Sequence, residues 1–345
     1  LMTETPPASA LGLRGAVHTP GLMTGNLFRD WAAEERYRRR REWNDRFQHW
    51  ERPPSTTEET TLNRAHRMVR DALSDSVWLG QMGGTLERQG SHFNNTNTRR
   101  DSDVDLRLEV PILKVEYHAN VTVGPQHRAN NYNDTGWTEG QLFTMMRWEL
   151  DTCLKGAFGE TNVVPGKKAY RVKGLSGSRG EIDVVPAMPF HHVFWSESGG
   201  RFERFEGVAI LSTDGLWTYN FPRQHRANGV AKRNRTNYQF KRVVRIFKRL
   251  RGDLISAGWS GGKVPSFLVE CLVYLVEDGF FIVPGDDRYD RVRRVAHRLQ
   301  AILRGSATSL WEINEIKPLF GPGQAWTYAQ ACSFADALVS LLGDA

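Results

Sequence analysis

The chain has 345 residues, of which 40% are hydrophobic and 25% are charged, with a formal net charge of +7. This is an ordinary soluble, globular composition, and no apolar run reaches the roughly 20 residues of a membrane span, so together with the lack of a recognisable signal peptide it predicts a cytoplasmic protein. The positive charge favours an anionic partner, and nucleic acid and nucleotides both fit it. Cys153, Cys271 and Cys332 lack zinc or CxxC spacing, so we interpret them as buried thiols in a reducing compartment.

Two helices are predicted at the start of the chain. Residues 27–50 are dense in charged and aromatic residues, which fits either base stacking on nucleic acid or an amphipathic helix packed on the body. A second helix is predicted from Ser55 to Ser74, because Ser55 and Glu58 form a capping-box signature. We therefore expect residues 1–54 to form an N-terminal lead with a basic, aromatic helix.

The stretch from Gln89 to Val110, QGSHFNNTNTRRDSDVDLRLEV, carries the clearest chemical pattern. Gly90 and Ser91 open it in a polar loop, and Asp103 and Asp105 stand at the head of an alternating strand. Residues two apart on a strand share a face, so the two carboxylates project together while the apolar residues between and after them face a core. Adjacent carboxylates need a cation between them, and Mg²⁺ suits such hard oxygen ligands together with substrate phosphates. A polar turn that enters an ordinary strand fits the short pattern as well.

A third carboxylate follows the helix predicted over residues 138–158. Residues 168–172 and 181–185 are predicted as strands, and Asp183 lies in the second of them. Three carboxylates on adjacent strands would hold the two divalent ions of two-metal phosphoryl transfer. Gly90 would allow the backbone to approach closely, while the N–H and hydroxyl of Ser91 can donate to a phosphate oxygen.

The most basic part of the chain, residues 223–251, is predicted to be helical from about Asn237. Lys241, Arg245 and Lys248 fall on one face of that helix, although such a charge run is usually a solvated face. Pro265 opens a further helix with Ser266 in its first turn, and a helix N-terminus is a suitable anion site. Residues 288–303 and 324–342 are predicted as the last helices.

Five segments carry a family resemblance, in the order QGSHFNNTNTRRDSDVDL, EIDVVPA, WTYNFPRQH, NRTNYQFKRVVRIFKRL and VPSFLVECLVY. Gly-Ser, then DxD and a distant Asp, resembles the polymerase-beta-type nucleotidyltransferases. The fuller pattern, which spans roughly residues 60 to 280, resembles the CD-NTases, cGAS-related bacterial synthases of cyclic oligonucleotides, and among them most the clade called CdnE.

The resemblance implies an α+β fold, with a polymerase-beta-type mixed sheet as catalytic core in residues 55–222 and a helical lobe in residues 223–345. It implies two Mg²⁺ ions, replaceable by Mn²⁺, on the carboxylates Asp103, Asp105 and Asp183. It further implies nucleotide contacts by Gly90, Ser91, Asn220, Lys248 and Ser266, with Lys241 as an alternative to Lys248. Asn220 would read a base edge and favour pyrimidines, unless it only closes a turn before Pro222.

The function that the resemblance implies is synthesis of a cyclic dinucleotide, with a pyrimidine in it, as a second messenger of the anti-phage defence system CBASS. The substrates would be NTPs, UTP and ATP among them, and the enzyme would act as a monomer that requires neither nucleic acid nor a membrane. Two other functions stay open: a template-independent transferase that acts on an RNA end or an antibiotic, and an inactive nucleic-acid sensor.

Overall fold

The computed structural model describes residues 24–98, 104–118, 121, 132–175, 178–305 and 309–343. Residues from Trp43 to Gly343 form one compact unit, and the described residues before it, 24–42, belong to a separate one. The three-part division expected from the sequence stays a prediction.

Helices account for most of the described chain outside its sheet. In chain order they are α1 (Thr24–Trp50), α2 (Thr56–Ser74), α3 (Val77–Gln81), α4 (Gly90–Asn94), α5 (Glu139–Phe158), α6 (Pro222–Arg235), α7 (Gln239–Ser256), α8 (Ser266–Leu275), α9 (Arg288–Gly305) and α10 (Tyr328–Leu342). Helices α6 to α10 follow the sheet, as expected for a helical C-terminal part. None of the helices in the described ranges combines the length and the apolar composition that crossing a membrane requires.

The described strands form a mixed sheet. They are β1 (Thr85–Arg88), β2 (Val104–Glu109), β3 (Lys114–Tyr117), β4 (Val163–Pro165), β5 (Tyr170–Val172), β6 (Ile182–Ser196), β7 (Arg201–Leu211) and β8 (Trp217–Asn220). The order β1-β2-β6-β5-β4 runs through the first half of β6. The second half of β6 pairs with β3 in parallel and with β7 in antiparallel orientation, and β8 continues from β7. The long strand β6 therefore joins both parts of the sheet.

Helices α2 and α5 cover the sheet with the apolar faces that their sequences predict. The buried residues of α2, Leu62, Ala65, Val69 and Leu73, recur at helical spacing, and they join one core with Leu142, Met146 and Leu150 of α5. The alternate residues Val104, Leu106 and Leu108 of β2 enter the same core. This packing fixes which face of β2 is left for polar side chains.

The structure differs from the expected elements in three places. Strand β6 extends eleven residues past the predicted end at residue 185, although it contains Pro186 and Pro189, and prolines usually end strands. Among the described strands, each proline has a paired strand on only one side, because it lies where β6 changes from one neighbouring strand to another. Helix α6 was not predicted, since it is polar almost throughout and shows no apolar stripe. Strand β3 lies within residues 111–137, a polar stretch for which no strand was predicted.

The cysteines agree only in part with the expectation that all three are buried. Cys271 is buried, whereas Cys153 and Cys332 are half-buried. Burial raises the pKa of the Cys271 thiol, which disfavours the reactive thiolate. In the N-terminal helix, Trp43 and Phe47 are buried, as the packed alternative for its aromatic residues requires, whereas Tyr37 is exposed.

The capping box of α2 allows a test of this local structure. Ser55 Oγ accepts the Glu58 N–H at 3.3 Å, and the Glu58 carboxylate accepts the Ser55 N–H at 2.6 Å. We expect Ser55→Ala to lower the free energy of unfolding by about 1 kcal/mol, seen as a lower urea midpoint with an unchanged slope. Thr60→Ala, an exposed substitution on the same helix, serves as the control and should change stability by less than about 0.5 kcal/mol. Equal effects of the two substitutions would contradict the prediction.

Candidate active site

Two carboxylates lie side by side on neighbouring strands. Asp105 of β2 and Asp183 of β6 are direct partners in the parallel register of these strands. Since partners on adjacent strands point to the same face, both carboxylates project from one side of the sheet. Leu106 and Val184, the next pair along, are fully buried on the other side. Asp103, the third expected ligand, lies outside the described residues.

A guanidinium group lies on the other side of Asp183. Arg171 of β5 is the antiparallel partner of Asp183, so Asp105, Asp183 and Arg171 form a row across three strands. Arg171 Nε donates to Asp183 Oδ1 at 3.1 Å, and Nη2 donates to Oδ2 at 3.4 Å. Arg171 Nε also lies 3.1 Å from Glu181 Oε1. This arginine was not identified from the sequence because its pairing depends on the register between β5 and β6.

Gly90 lies against Asp105. Its φ of +66° is in the left-handed region, and a Cβ at this position would come within 2.0 Å of Asp105 Oδ2. Both the backbone conformation and the close contact therefore require glycine. The close approach that we expected at Gly90 is thus made to a carboxylate of the protein. The expected loop is a single helical turn, α4, and the N–H of Gln89 donates to the Asp105 carbonyl at 3.0 Å.

Several of the expected site residues line one cavity of about 440 Å³. Those in its wall are Gly90, Ser91, Asp105, Asn220 and Ser266. Ser266 is the first residue of α8 and Pro265 is its N-cap, as predicted, so the start of that helix faces the cavity. Asn220 is the last residue of β8, directly before α6. The cavity therefore joins the carboxylate side of the sheet to the helical part of the chain.

The cations expected on α7 lie on one face but are buried. Lys241 Nζ donates to the Asn94 carbonyl at 2.6 Å, and Arg245 Nη1 donates to the Asn95 carbonyl at 2.8 Å, so both hold the C-terminal end of α4. Desolvation by burial lowers the pKa of Lys241 to about 8. The interpretation of this basic run as a solvated face is thus wrong for these two residues and for Lys248, because all three are buried and bind acceptors within the protein. Contact of Lys241 or Lys248 with a triphosphate stays a prediction.

Glu270 of α8 is the centre of a buried polar network at the cavity wall. Its Oε1 accepts hydrogen bonds from Lys248 Nζ at 2.6 Å and from Thr96 Oγ1 at 2.7 Å, and its Oε2 lies 3.4 Å from His225 Nε2. Burial alone would raise the pKa of Glu270, but Lys248 and His225 outweigh it and lower that pKa to about 2. Glu270 is therefore ionised, and it connects α4 through Thr96 to both α7 and α8.

Further cavity residues were not foreseen, among them His225, Phe267, Glu312, Asn314, Lys317 and Trp326. The rings of Phe267 and Trp326 are 5.7 Å apart, and Phe267 remains 36% exposed. Lys317 Nζ donates to the Tyr219 carbonyl at 3.0 Å, which attaches the loop before α10 to strand β8. A polar and aromatic loop of this kind has no periodicity by which a site could be recognised from sequence.

The carboxylate pair fits a divalent metal ion. Asp105 and Asp183 provide hard oxygen donors on one face, and glycine at position 90 leaves room for the Asp105 carboxylate. Within the described ranges no three acidic, histidine or cysteine side chains converge as a metal-binding group. Because Mg²⁺ is commonly held by one or two carboxylates with substrate phosphates, this pair is sufficient protein ligation.

The C-terminal part of the chain matches a known family. Residues 227–343 match the family described as the cGAS/DncV-like nucleotidyltransferase C-terminal helical domain. The cyclic dipyrimidine nucleotide synthase CdnE of Legionella pneumophila is 35% identical over 294 residues, which cover 85% of this chain and 95% of that protein.

Solved structures are similar over nearly the same length. The CdnE cyclic dinucleotide synthase of Elizabethkingia meningoseptica, solved with GTP and Apcpp, has a TM-score of 0.68 at 28% identity and covers 87% of this chain and 98% of its own. The CdnE c-UMP-AMP synthase of Rhodothermus marinus, solved with Apcpp and Upnpp, has a TM-score of 0.70 at 24% identity, over 86% and 95% of the two chains. The similarity to the Rhodothermus protein, at 24% identity, supports the fold alone. The similarity to the Elizabethkingia protein, at 28% identity, includes the amino-acid sequence as well.

The low pKa of Glu270 predicts a pH-dependent contribution to stability. Its folded-state pKa of about 2 is below the ordinary 4.5, so the contribution is present above pH 4.5 and is lost as pH falls toward 2. We expect Glu270→Gln to lower the free energy of unfolding by about 3 kcal/mol at pH 7. In urea titrations the gap to the native protein should stay constant down to about pH 5 and narrow below that.

The control for that measurement is Glu203→Gln, which removes a carboxylate from an exposed pair with Arg201 and should cost little. A gap for Glu270→Gln that did not change with pH would show that the loss arises from packing and that the charge makes no contribution.

Proposed function

The chain belongs to the family of cGAS/DncV-like nucleotidyltransferases, the CD-NTases, and we propose that it joins nucleoside triphosphates into a cyclic dinucleotide with at least one pyrimidine. One observation carries this proposal: the pairing of Asp105 with Asp183 beside a cavity that also presents Ser91 and Ser266. The name of the Legionella relative, a cyclic dipyrimidine nucleotide synthase, supports a pyrimidine in the product.

Asp105 and Asp183, with Asp103 from outside the described residues, are the proposed ligands of Mg²⁺ or Mn²⁺. When bound, such ions lower the pKa of the attacking ribose hydroxyl and neutralise charge on the departing pyrophosphate. The protein itself contributes position, since the parallel register of β2 and β6 holds both carboxylates on one face and Gly90 keeps space beside Asp105.

The triphosphate would lie across the cavity between α4 and α8. Ser91 and Ser266 can donate hydroxyl hydrogen bonds to phosphate oxygens, and the free N–H groups at the start of α8 add positive potential. Lys248 joins this site only by exchanging Glu270 for phosphate, because its ammonium group is 2.6 Å from that carboxylate. Lys241 would have to release the Asn94 carbonyl in the same way.

The base would lie in the same cavity, near Asn220 and the aromatic pair Phe267 and Trp326. A carboxamide offers both a donor and an acceptor, which match the edge of a pyrimidine. Phe267 and Trp326 provide exposed ring surface at the same cavity, suited to stacking on a base. UTP and ATP are the expected substrates, and the product would serve as a second messenger in anti-phage defence. Action as a monomer without nucleic acid remains a prediction.

The metal-binding role predicts that Asp105→Asn and Asp183→Asn each lower turnover by about 10³-fold, because charge neutralisation is lost. The assay incubates the protein with Mg²⁺ and labelled NTPs, without added acceptor, and follows a phosphatase-resistant product. Mass spectrometry of the product from mixed NTPs then gives its bases and ring size.

Asp214→Asn, in an exposed pair with Lys167, is the matched control and should retain activity, and unchanged urea midpoints would show that all variants fold. Full synthesis by either of the two site variants would contradict the metal assignment. A product that appeared only with added RNA or a small-molecule acceptor would instead favour the alternative transferase.

The base-reading role predicts a change of selectivity in Asn220→Ala. Loss of the carboxamide hydrogen bonds should lower the preference for UTP over other NTPs by about three- to ten-fold in a competition of mixed NTPs. Asn133→Ala, at an exposed asparagine, is the control and should keep the native ratio. An unchanged ratio in Asn220→Ala would mean that Asn220 only ends β8.

A further inference from the structure

The row Asp105–Asp183–Arg171 contains a cation of the protein's own. Arg171 contacts both oxygens of Asp183, and in-register pairing on both sides of β6 places its side chain on the same face as the carboxylates. A guanidinium group and a divalent ion are attracted to the same carboxylate oxygens, so each weakens the binding of the other. Arg171 is therefore positioned to compete with a metal ion for Asp183.

A second acceptor lowers the free-energy cost of replacing Arg171 by a metal ion at Asp183. Glu181 precedes Asp183 by two residues on the same face, and its Oε1 is 3.1 Å from Arg171 Nε. If the guanidinium leaves Asp183, it keeps this partner. The Arg171 side chain is 54% exposed, so close packing does not oppose its movement away from Asp183.

From these contacts we propose that Arg171 is the counter-ion of Asp183 in the cation-free protein and sets the affinity of the site for divalent ions. The inference rests on the proposed function, since it concerns the same carboxylate pair. Arg171 stabilises the Asp183 carboxylate when no ion is bound, and it keeps Glu181 as a partner when an ion occupies Asp183. The arginine thereby raises the ion concentration at which the site fills.

Direct measurement of Mn²⁺ binding tests this without any turnover. Titration of the full chain with Mn²⁺ alone, followed by the electron paramagnetic resonance of the free ion, gives the dissociation constant. We expect Arg171→Gln to bind Mn²⁺ roughly two- to five-fold more tightly than the native protein, the range set by a half-exposed ion pair. Arg171→Lys keeps the charge but loses the paired donors, and it should lie between the two.

The matched control removes the same charge elsewhere. Arg201→Gln breaks an exposed pair with Glu203, and Arg201 is the register partner of Ser196 at the far end of β6. It should leave the dissociation constant at the native value. Equal tightening in Arg201→Gln would show that net charge alone is responsible and would overturn the assignment to Arg171.

The remaining outcomes separate this inference from the proposed function. Native affinity in Arg171→Gln, with binding still abolished by Asp105→Asn, would overturn the role of Arg171 and leave the metal site standing. If the native protein bound no Mn²⁺, or if Asp105→Asn bound it equally well, the metal site of the proposed function would fail and this inference with it.

Discussion

The parallel pairing of β2 with β6 is the constraint on which the site depends. It opposes Asp105 to Asp183, and the next pair along, Leu106 with Val184, is fully buried. A slip of one residue would move a carboxylate into the core and an apolar side chain out of it. The hydrophobic effect thus holds the carboxylates together against their mutual repulsion. The core selects the register, and the register assembles the site.

The parts of the fold that sequence reasoning predicted well are those with a strong local signal. Helix α2 follows from its capping box and its apolar spacing, and β2 follows from strict alternation. The extension of β6 past Pro186 and Pro189 depends on neighbouring strands that end or begin beside each proline. Helix α6 has no apolar stripe, and only tertiary packing reveals that Lys232 in it is buried.

The site shows the same division between local and distant information. The acidic pattern and the Gly-Ser pair are short motifs, so their chemistry was readable in the sequence. The partners of the basic face of α7 were not, because the acceptors of Lys241 and Arg245 lie about 150 residues earlier in the chain. Arg171 was missed for a different reason: its partner Asp183 lies only 12 residues later, on the next strand, but the sequence did not reveal the register that opposes the two. Charge alone suggests that a side chain faces solvent, and its burial can be recognised only when its partner in the fold is known.

The contacts between α7 and α4 have a consequence for how such proteins diversify. The carbonyl groups of Asn94 and Asn95 belong to the sheet-bearing part, and the cations that cap them belong to the helical part. A hybrid made by recombination near Phe221 would enclose ammonium and guanidinium groups without acceptors unless the donor lineage presented the same carbonyl geometry. Exchange of the helical part alone therefore requires a sheet-bearing part that presents these two carbonyl groups to Lys241 and Arg245.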